Sequence, residues 1–256
     1  MTVKLGAVVI GAAATAVGAA VLIYGGSQLL KERSIETTLA EGAADGKFIC
    51  LKTKISFAAG ADKGCYSRDE IEAFDAAPLL DDHGAPVSVS LSHPTDMSRP
   101  QATASTCADW RRLTGEGWYA LSTADMRREA WFVRACGTLA LLKAARRADL
   151  THFEDAAASE ADMESLAATA PFRIGPAEEG APTAEVSRAG PAEWRLSVDG
   201  QFAVVQEIAH ADFNADGLGD LLVFVSLNAG GGTATASRTG LLVKLKPAGP
   251  VRFVEK

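Results

Sequence analysis

The chain has no surplus of positive charge, few histidines and no C-x-x-C pair, and each shortage removes a class of function. Lysine and arginine total 25 against 32 aspartates and glutamates, a formal net charge of −7. No global basic field exists to hold nucleic acid or an anionic membrane surface. No basic helix with interleaved aromatics is found either, so nucleic acid is excluded as an expected partner. The four cysteines, Cys50, Cys65, Cys107 and Cys136, do not fall at zinc-ribbon or thioredoxin-like spacing. The four histidines, His83, His93, His152 and His210, are scattered and read as surface or satisfied polar residues. G-x-S-x-G, H-E-x-x-H, the Walker loop and a G-x-G-x-x-G after a strand are all missing. The neighbouring acids Asp81 and Asp82, or Glu154 and Asp155, point apart and read as solvated. No catalytic site is assembled from residues close in sequence.

Charge is missing altogether from residues 5–28, "LGAVVIGAAATAVGAAVLIYGGSQ". About twenty such residues in a helix span the roughly 30 Å of a bilayer's hydrocarbon core. The expectation is an N-terminal transmembrane anchor over residues 1–28, with a cleavable signal at Gly18-Ala19-Ala20 as its rival. Ala7, Gly11, Ala14 and Gly18 keep a small face along one side, suited to close helix packing in a membrane. Lys4 before the segment and Lys31 with Arg33 after it leave the orientation nearly balanced. The cysteines decide it, being even in number and all placed after the segment. Pairing Cys50 with Cys65 and Cys107 with Cys136 is the simplest of three connectivities, and four unpaired buried thiols are the other possibility. Closing the first loop would stabilise the fold by about 3 kcal/mol. The expected setting is the bacterial inner membrane with the C-terminal region facing the periplasm, or secretion after cleavage.

Composition then divides the rest. Residues 29–46 read as a polar stalk. Residues 47–175 read as a disulfide-stapled α+β region. In it, Ser67 and Glu70 form a capping box, "APVSVSLSHP" alternates as a strand, and residues 106–146 form two helices. On the second, capped by Ser122 or Thr123, the face Met126, Ala130, Val133, Gly137, Ala140 and Leu141 is expected to be buried. Trp110, Trp118, Trp131 and Phe132 read as core. Residues 176–192, "PAEEGAPTAEVSRAGPA", read as a linker. From residue 193 the period changes to two, with a hairpin at Asp199-Gly200 and two further strands. The expected fold class is α+β: transmembrane helix, stapled region, and a C-terminal antiparallel four-stranded unit over residues 193–256.

Within that unit lies "HADFNADGLGDLLVFV". Asp212, Asn214 and Asp216 occupy the first, third and fifth places of a D-x-[DN]-x-[DN]-G loop. Gly217 permits the sharp turn, the carbonyl of Leu218 is placed as the seventh ligand, and Asp220 stands at the ninth. Calcium takes six to eight hard oxygens and suits such a loop. Val223 replaces the twelfth-place glutamate and the flanks read as strands, so this is not an EF-hand. The stretch resembles the calcium loop of FG-GAP or VCBS-type repeats, over about 15 residues and in a single copy. The resemblance implies a calcium loop joining two strands; adhesion, a property of multi-blade assemblies, does not follow from one copy. A metal-free acidic turn is the other reading.

The expected function is therefore a non-enzymatic accessory or binding component of the envelope, membrane-anchored, with a structural calcium site and a protein partner. A hydrolase with a site assembled from distant residues, or a small subunit of a larger membrane complex, are the alternatives.

Overall fold

Two eleven-residue strands rich in Val, Leu, Ile and Phe form the spine of the molecule. The computed structural model describes residues 46–81, 83–169, 184–198, 201–228 and 235–256. The elements run β1 (Ile49–Leu51), β2 (Gly64–Tyr66), α1 (Arg68–Ala76), β3 (Val89–Leu91), β4 (Ala102–Ala104), α2 (Cys107–Gly115), α3 (Thr123–Ala144), β5 (Leu150–Thr151) and α4 (Glu160–Thr169). They continue with β6 (Ala184–Gly190), β7 (Glu193–Val198), β8 (Gln201–Ala211), β9 (Leu218–Asn228), β10 (Thr235–Val243) and β11 (Arg252–Glu255). Among the described residues, nine of these strands join in one sheet, in the path β11-β10-β9-β8-β1-β2. β6 and β7 join through β8, and the short β5 pairs parallel with the start of β9. β3 and β4 pair separately.

β8 changes partner halfway. Its first half pairs with β7, from Val198↔Gln201 to Glu193↔Gln206. Its second half takes β1, with Cys50↔His210 and Leu51↔Ala209. A register shift between Glu207 and Ala209 marks the change. This corrects the expected α+β division into a stapled region and a separate four-stranded unit. β1 and β2 come from the first and are built into the sheet of the second, and β6 lies where a linker was expected. The reason is saturation of hydrogen bonds: β8 is longer than β7, and its remaining N–H and C=O groups need another strand. Local periodicity carries no record of that long-range pairing.

The sheet is covered on both faces. On one, Leu222 and Leu241 meet Ile71, Phe132 and Leu139 in a core supplied by α1, α2 and α3. On the other, Leu221, Val223 and Val225 pack with Phe153, Met163 and Leu166 beside α4. Burial on both faces explains why β9 reads as the unbroken run "LLVFV".

Caps set the helix starts. Ser67 Oγ accepts from the Glu70 N–H at 3.3 Å, and Glu70 Oε2 accepts from the Ser67 N–H at 2.7 Å. Ser122 accepts from the Asp125 N–H at the start of α3. Asp75 of α1 ties the three helices, accepting from Arg111 of α2 and from Lys143 of α3. The expected core face of α3 is corrected. Met126 and Val133 are each 53% exposed, and Ala130, Gly137 and Ala140 are exposed too. The buried face carries Phe132, Ala135, Cys136, Leu139 and Leu142. Both faces are apolar, and the Cys107–Cys136 bond helps choose between them by drawing Cys136 inward.

The other disulfide joins Cys50 to Cys65 across β1 and β2, at directly opposed positions. Among the described residues no cysteine is free, and no helix is long and apolar enough to cross a membrane. The transmembrane expectation is corrected to that extent; the segment on which it rested, residues 5–28, lies outside the described residues.

Candidate functional site

The acidic stretch forms the connection between β8 and β9, just beyond their last pair, Ala211↔Asp220. A strap from elsewhere in the chain holds it. Arg146 and Asp212 exchange backbone hydrogen bonds at 2.7 and 3.0 Å. The N–H groups of Asp149 and Leu150 both donate to the Gly217 carbonyl, at 2.9 and 3.3 Å. Phe213, buried at the loop's start, anchors it in the helix-covered core.

Inside the loop the side chains cap backbone N–H groups in succession. Asp212 Oδ1 accepts from Asn214 at 3.2 Å and from Ala215 at 2.7 Å, and its Oδ2 accepts from Gly217 at 3.1 Å. Asn214 Oδ1 accepts from the Asp216 N–H at 2.9 Å, while its Nδ2 donates to Asp216 Oδ2 at 3.0 Å. Asp216 Oδ1 accepts from the Leu218 N–H at 2.8 Å. These bonds hold the reversal in which Ala215 and Gly217 adopt φ of 65° and 83°.

Asp220 is different. It is fully buried, its Oδ2 accepts from the Phe213 N–H at 3.3 Å, and its Oδ1 has no hydrogen-bond partner. Burial, then the charges of Asp216 and Asp212, push its pKa up to about 7. A carboxylate in that position holds its charge poorly without a cation.

Expectation and structure part at one point. Among the described residues, no three His, Cys, Asp or Glu side chains are gathered into a group that could hold a metal ion. The expectation of a ready-made metal site is corrected to that extent: the loop is closed by its own hydrogen bonds and presents no preformed cage. The donor set still has the right chemistry. The side chains of Asp212, Asn214, Asp216 and Asp220 offer only hard oxygens toward a cation. Asp212 Oδ2 and both Asp216 oxygens, each accepting a single N–H, keep a second lone pair, whereas Asp212 Oδ1 already accepts two. The orphaned Oδ1 of Asp220 is the observation that fits a cation best.

Neighbours that sequence reasoning did not find are Asp149, Thr151 and Gly219. Asp149 Oδ2 lies 3.4 Å from where a Cβ on Gly217 would stand. The Nε2 edge of His210 occupies the space where a Cβ on Gly219 would stand, and Nε2 lies 3.1 Å from Thr151 Oγ1. Burial and the charge of Lys52 pull the His210 pKa down to about 4. His210 faces the strap, and no hydrogen bond joins it to the loop's carboxylates among the described residues. The strap's signal was slight, since β5 is only two residues long and pairs parallel from a distance. Of the other histidines, His93 stacks edge-on against Trp118 at 5.1 Å, remote in sequence and element from this loop.

No protein-family model, curated protein or solved structure significantly matches the chain.

Proposed function

We propose that the chain is a non-enzymatic accessory or binding module of an oxidising compartment outside the cytoplasm, and that its β8–β9 loop takes up a structural calcium ion. The observation that carries the calcium reading is the buried Asp220 carboxylate, with one oxygen unpartnered beside two further aspartates. The D-x-N-x-D-G spacing and its resemblance to FG-GAP or VCBS-type loops support the same reading. The two disulfides support the compartment, because such bonds persist where thiols are not kept reduced. A protein partner fits an accessory role better than nucleic acid does, given the net charge of −7.

The ion's contribution would be to join β8 to β9 and neutralise Asp220, a stabilising role with no chemical step. A ligand bound only by the folded state adds about 2.7 kcal/mol when present at 100 times its dissociation constant. For a domain of this size that is a rise of about 5–10 °C in Tm. Calorimetric scans of the oxidised protein should show that rise with millimolar calcium and its loss with chelator. Asp216→Ala should lower Tm and leave it indifferent to both additions, and magnesium should substitute poorly because it demands a tighter octahedron. A wild-type Tm unmoved by calcium and chelator would leave the loop a metal-free acidic turn.

A further inference from the structure

We propose that the solvent-facing side of α3 is the contact through which two copies of this chain pair, helix against helix and antiparallel about a two-fold axis. The pairing is separate from the calcium reading and does not rest on it.

Met126, Ala130, Val133, Gly137, Ala140 and Ala144 are all exposed on α3. They follow one another at steps of four, three, four, three and four residues. That is the apolar repeat of a helix that meets another helix along one seam. Beyond Arg128, every exposed residue of α3 belongs to this row. The row runs about 27 Å along the helix at 1.5 Å per residue.

Gly137 marks the row as a contact surface. Among the described residues, a Cβ built there meets nothing within 4 Å. The single chain therefore supplies no crowding that requires glycine, although glycine inside a helix is less favourable than alanine. The gap is what a partner's side chain would fill. Ala130, Val133, Gly137 and Ala140 also form one wall of an open groove of about 450 Å3, with Phe224 and Thr239 among the residues of its other wall. A helix seated on the row has that groove beside it.

The row selects a second copy because it is complementary to itself when reversed. A two-fold axis at the height of Ala135 sets Val133 against Gly137, Ala130 against Ala140 and Met126 against Ala144. Each pair is made twice, as a closed two-fold contact demands. Each of the two large side chains thereby meets a small one. A parallel pair would instead set Met126 on Met126 and Gly137 on Gly137, leaving the gap open. At the flanks, Glu129 of one copy stands opposite Lys143 of the other. Lys143 already meets Asp75 at 3.2 Å, so this opposition of signs sets direction and adds little affinity. Near the axis, the Arg134 guanidinium lies 4.1 Å from the Trp131 ring centroid and 4.8 Å from that of Phe224, held to its own copy.

Sedimentation of the oxidised full-length protein tests the pairing. The wild type is expected to be a dimer at tens of micromolar. Val133→Glu, at an exposed side chain, and Gly137→Lys, at an open one, should keep helix content and both disulfides. Each should weaken self-association at least tenfold. Mixed in equal amounts, the two variants should regain the dimer. Each mixed pair sets the new carboxylate against the new ammonium on one side of the axis and keeps the native Val133–Gly137 contact on the other. With one variant isotopically labelled, the mass of the dimer should show one copy of each. A monomeric wild type would overturn the proposal. Self-association undiminished in both variants would overturn it too, placing the contact elsewhere, residues 5–28 included. A mixture no more associated than its parts would overturn the two-fold geometry and leave the row to a partner of another kind.

Discussion

At the scale of single residues, the β8–β9 connection is governed by who may approach whom. Gly217 is needed for its φ of 83°, but Gly219 is needed for its lack of a side chain. A Cβ there would stand 2.3 Å from His210 Nε2 and 3.0 Å from the Thr151 Cβ. The imidazole is buried and the strap lies behind it, so neither can withdraw freely. Gly219→Ala should therefore cost about 1–3 kcal/mol by overpacking. His210→Ala opens the space that the new methyl group would fill. In a double-mutant cycle by urea denaturation, the pair should be less destabilised than the sum of the singles. Strict additivity would show that the His210 ring does not set the requirement for glycine. The sequence displayed Gly217 plainly, as the sixth place of a recognisable loop. It gave no reason for Gly219, because the contacts that forbid a side chain come from the His210 ring on the paired strand and from Thr151 of β5, 68 residues earlier.

At the scale of elements, what matters is the point where β8 exchanges β7 for β1. Glu207 sits there, almost wholly buried. Its carboxylate accepts from Lys52 Nζ at 2.7 Å, from the Trp194 indole N–H at 3.0 Å and from the Ala158 N–H at 3.3 Å. One side chain thus fastens the end of β1, the start of β7 and the approach to α4. Burial holds the Lys52 pKa below its ordinary value, and the attraction of Glu207 offsets that only in part. Removing the acid alone leaves a largely desolvated ammonium and two N–H donors without acceptors. Glu207→Leu should cost about 3–5 kcal/mol, and adding Lys52→Met should recover part of it; a Glu207→Leu loss under 1 kcal/mol would refute this role. None of this was readable beforehand. Features set within a few residues were legible: the Ser67 capping box, the Ser122 cap and the pairing of Val198 with Gln201. Those set by distant partners were not: the β1–β8 pairing, the strap at residues 146–151 and the rotation of α3. For α3 the failure has a specific cause, since apolar residues cover both candidate faces and its periodicity favours neither strongly.

At the scale of the whole molecule, two buried groups at one end of the sheet bind protons in opposite senses, and their sum shapes stability against pH. Asp220 has its pKa raised in the folded state, to about 7 from an ordinary 3.8. The folded protein then holds a proton that the unfolded chain has released, so this contribution is full below about pH 4 and is lost as pH rises toward 7. His210 has its pKa depressed, to about 4 from an ordinary 6.5. Here the unfolded chain takes the proton first, so the contribution is full above about pH 6.5 and is lost as pH falls toward 4. The windows overlap and the signs oppose, so without calcium the two largely cancel between pH 4 and 6.5. Each substitution should expose the other group. Asp220→Asn should give a protein whose stability climbs with pH across that window, by a few kcal/mol at most. His210→Asn should give one whose stability declines with pH and continues declining toward pH 7. Saturating calcium should make the wild type behave like Asp220→Asn, because an ion on that carboxylate removes its preference for the proton. Urea denaturation at half-unit pH intervals, with chelator and with calcium, separates the contributions. Parallel profiles for wild type and both variants would mean that neither group titrates differently in the folded and unfolded states, and the buried charge at Asp220 would lose its claim on a cation.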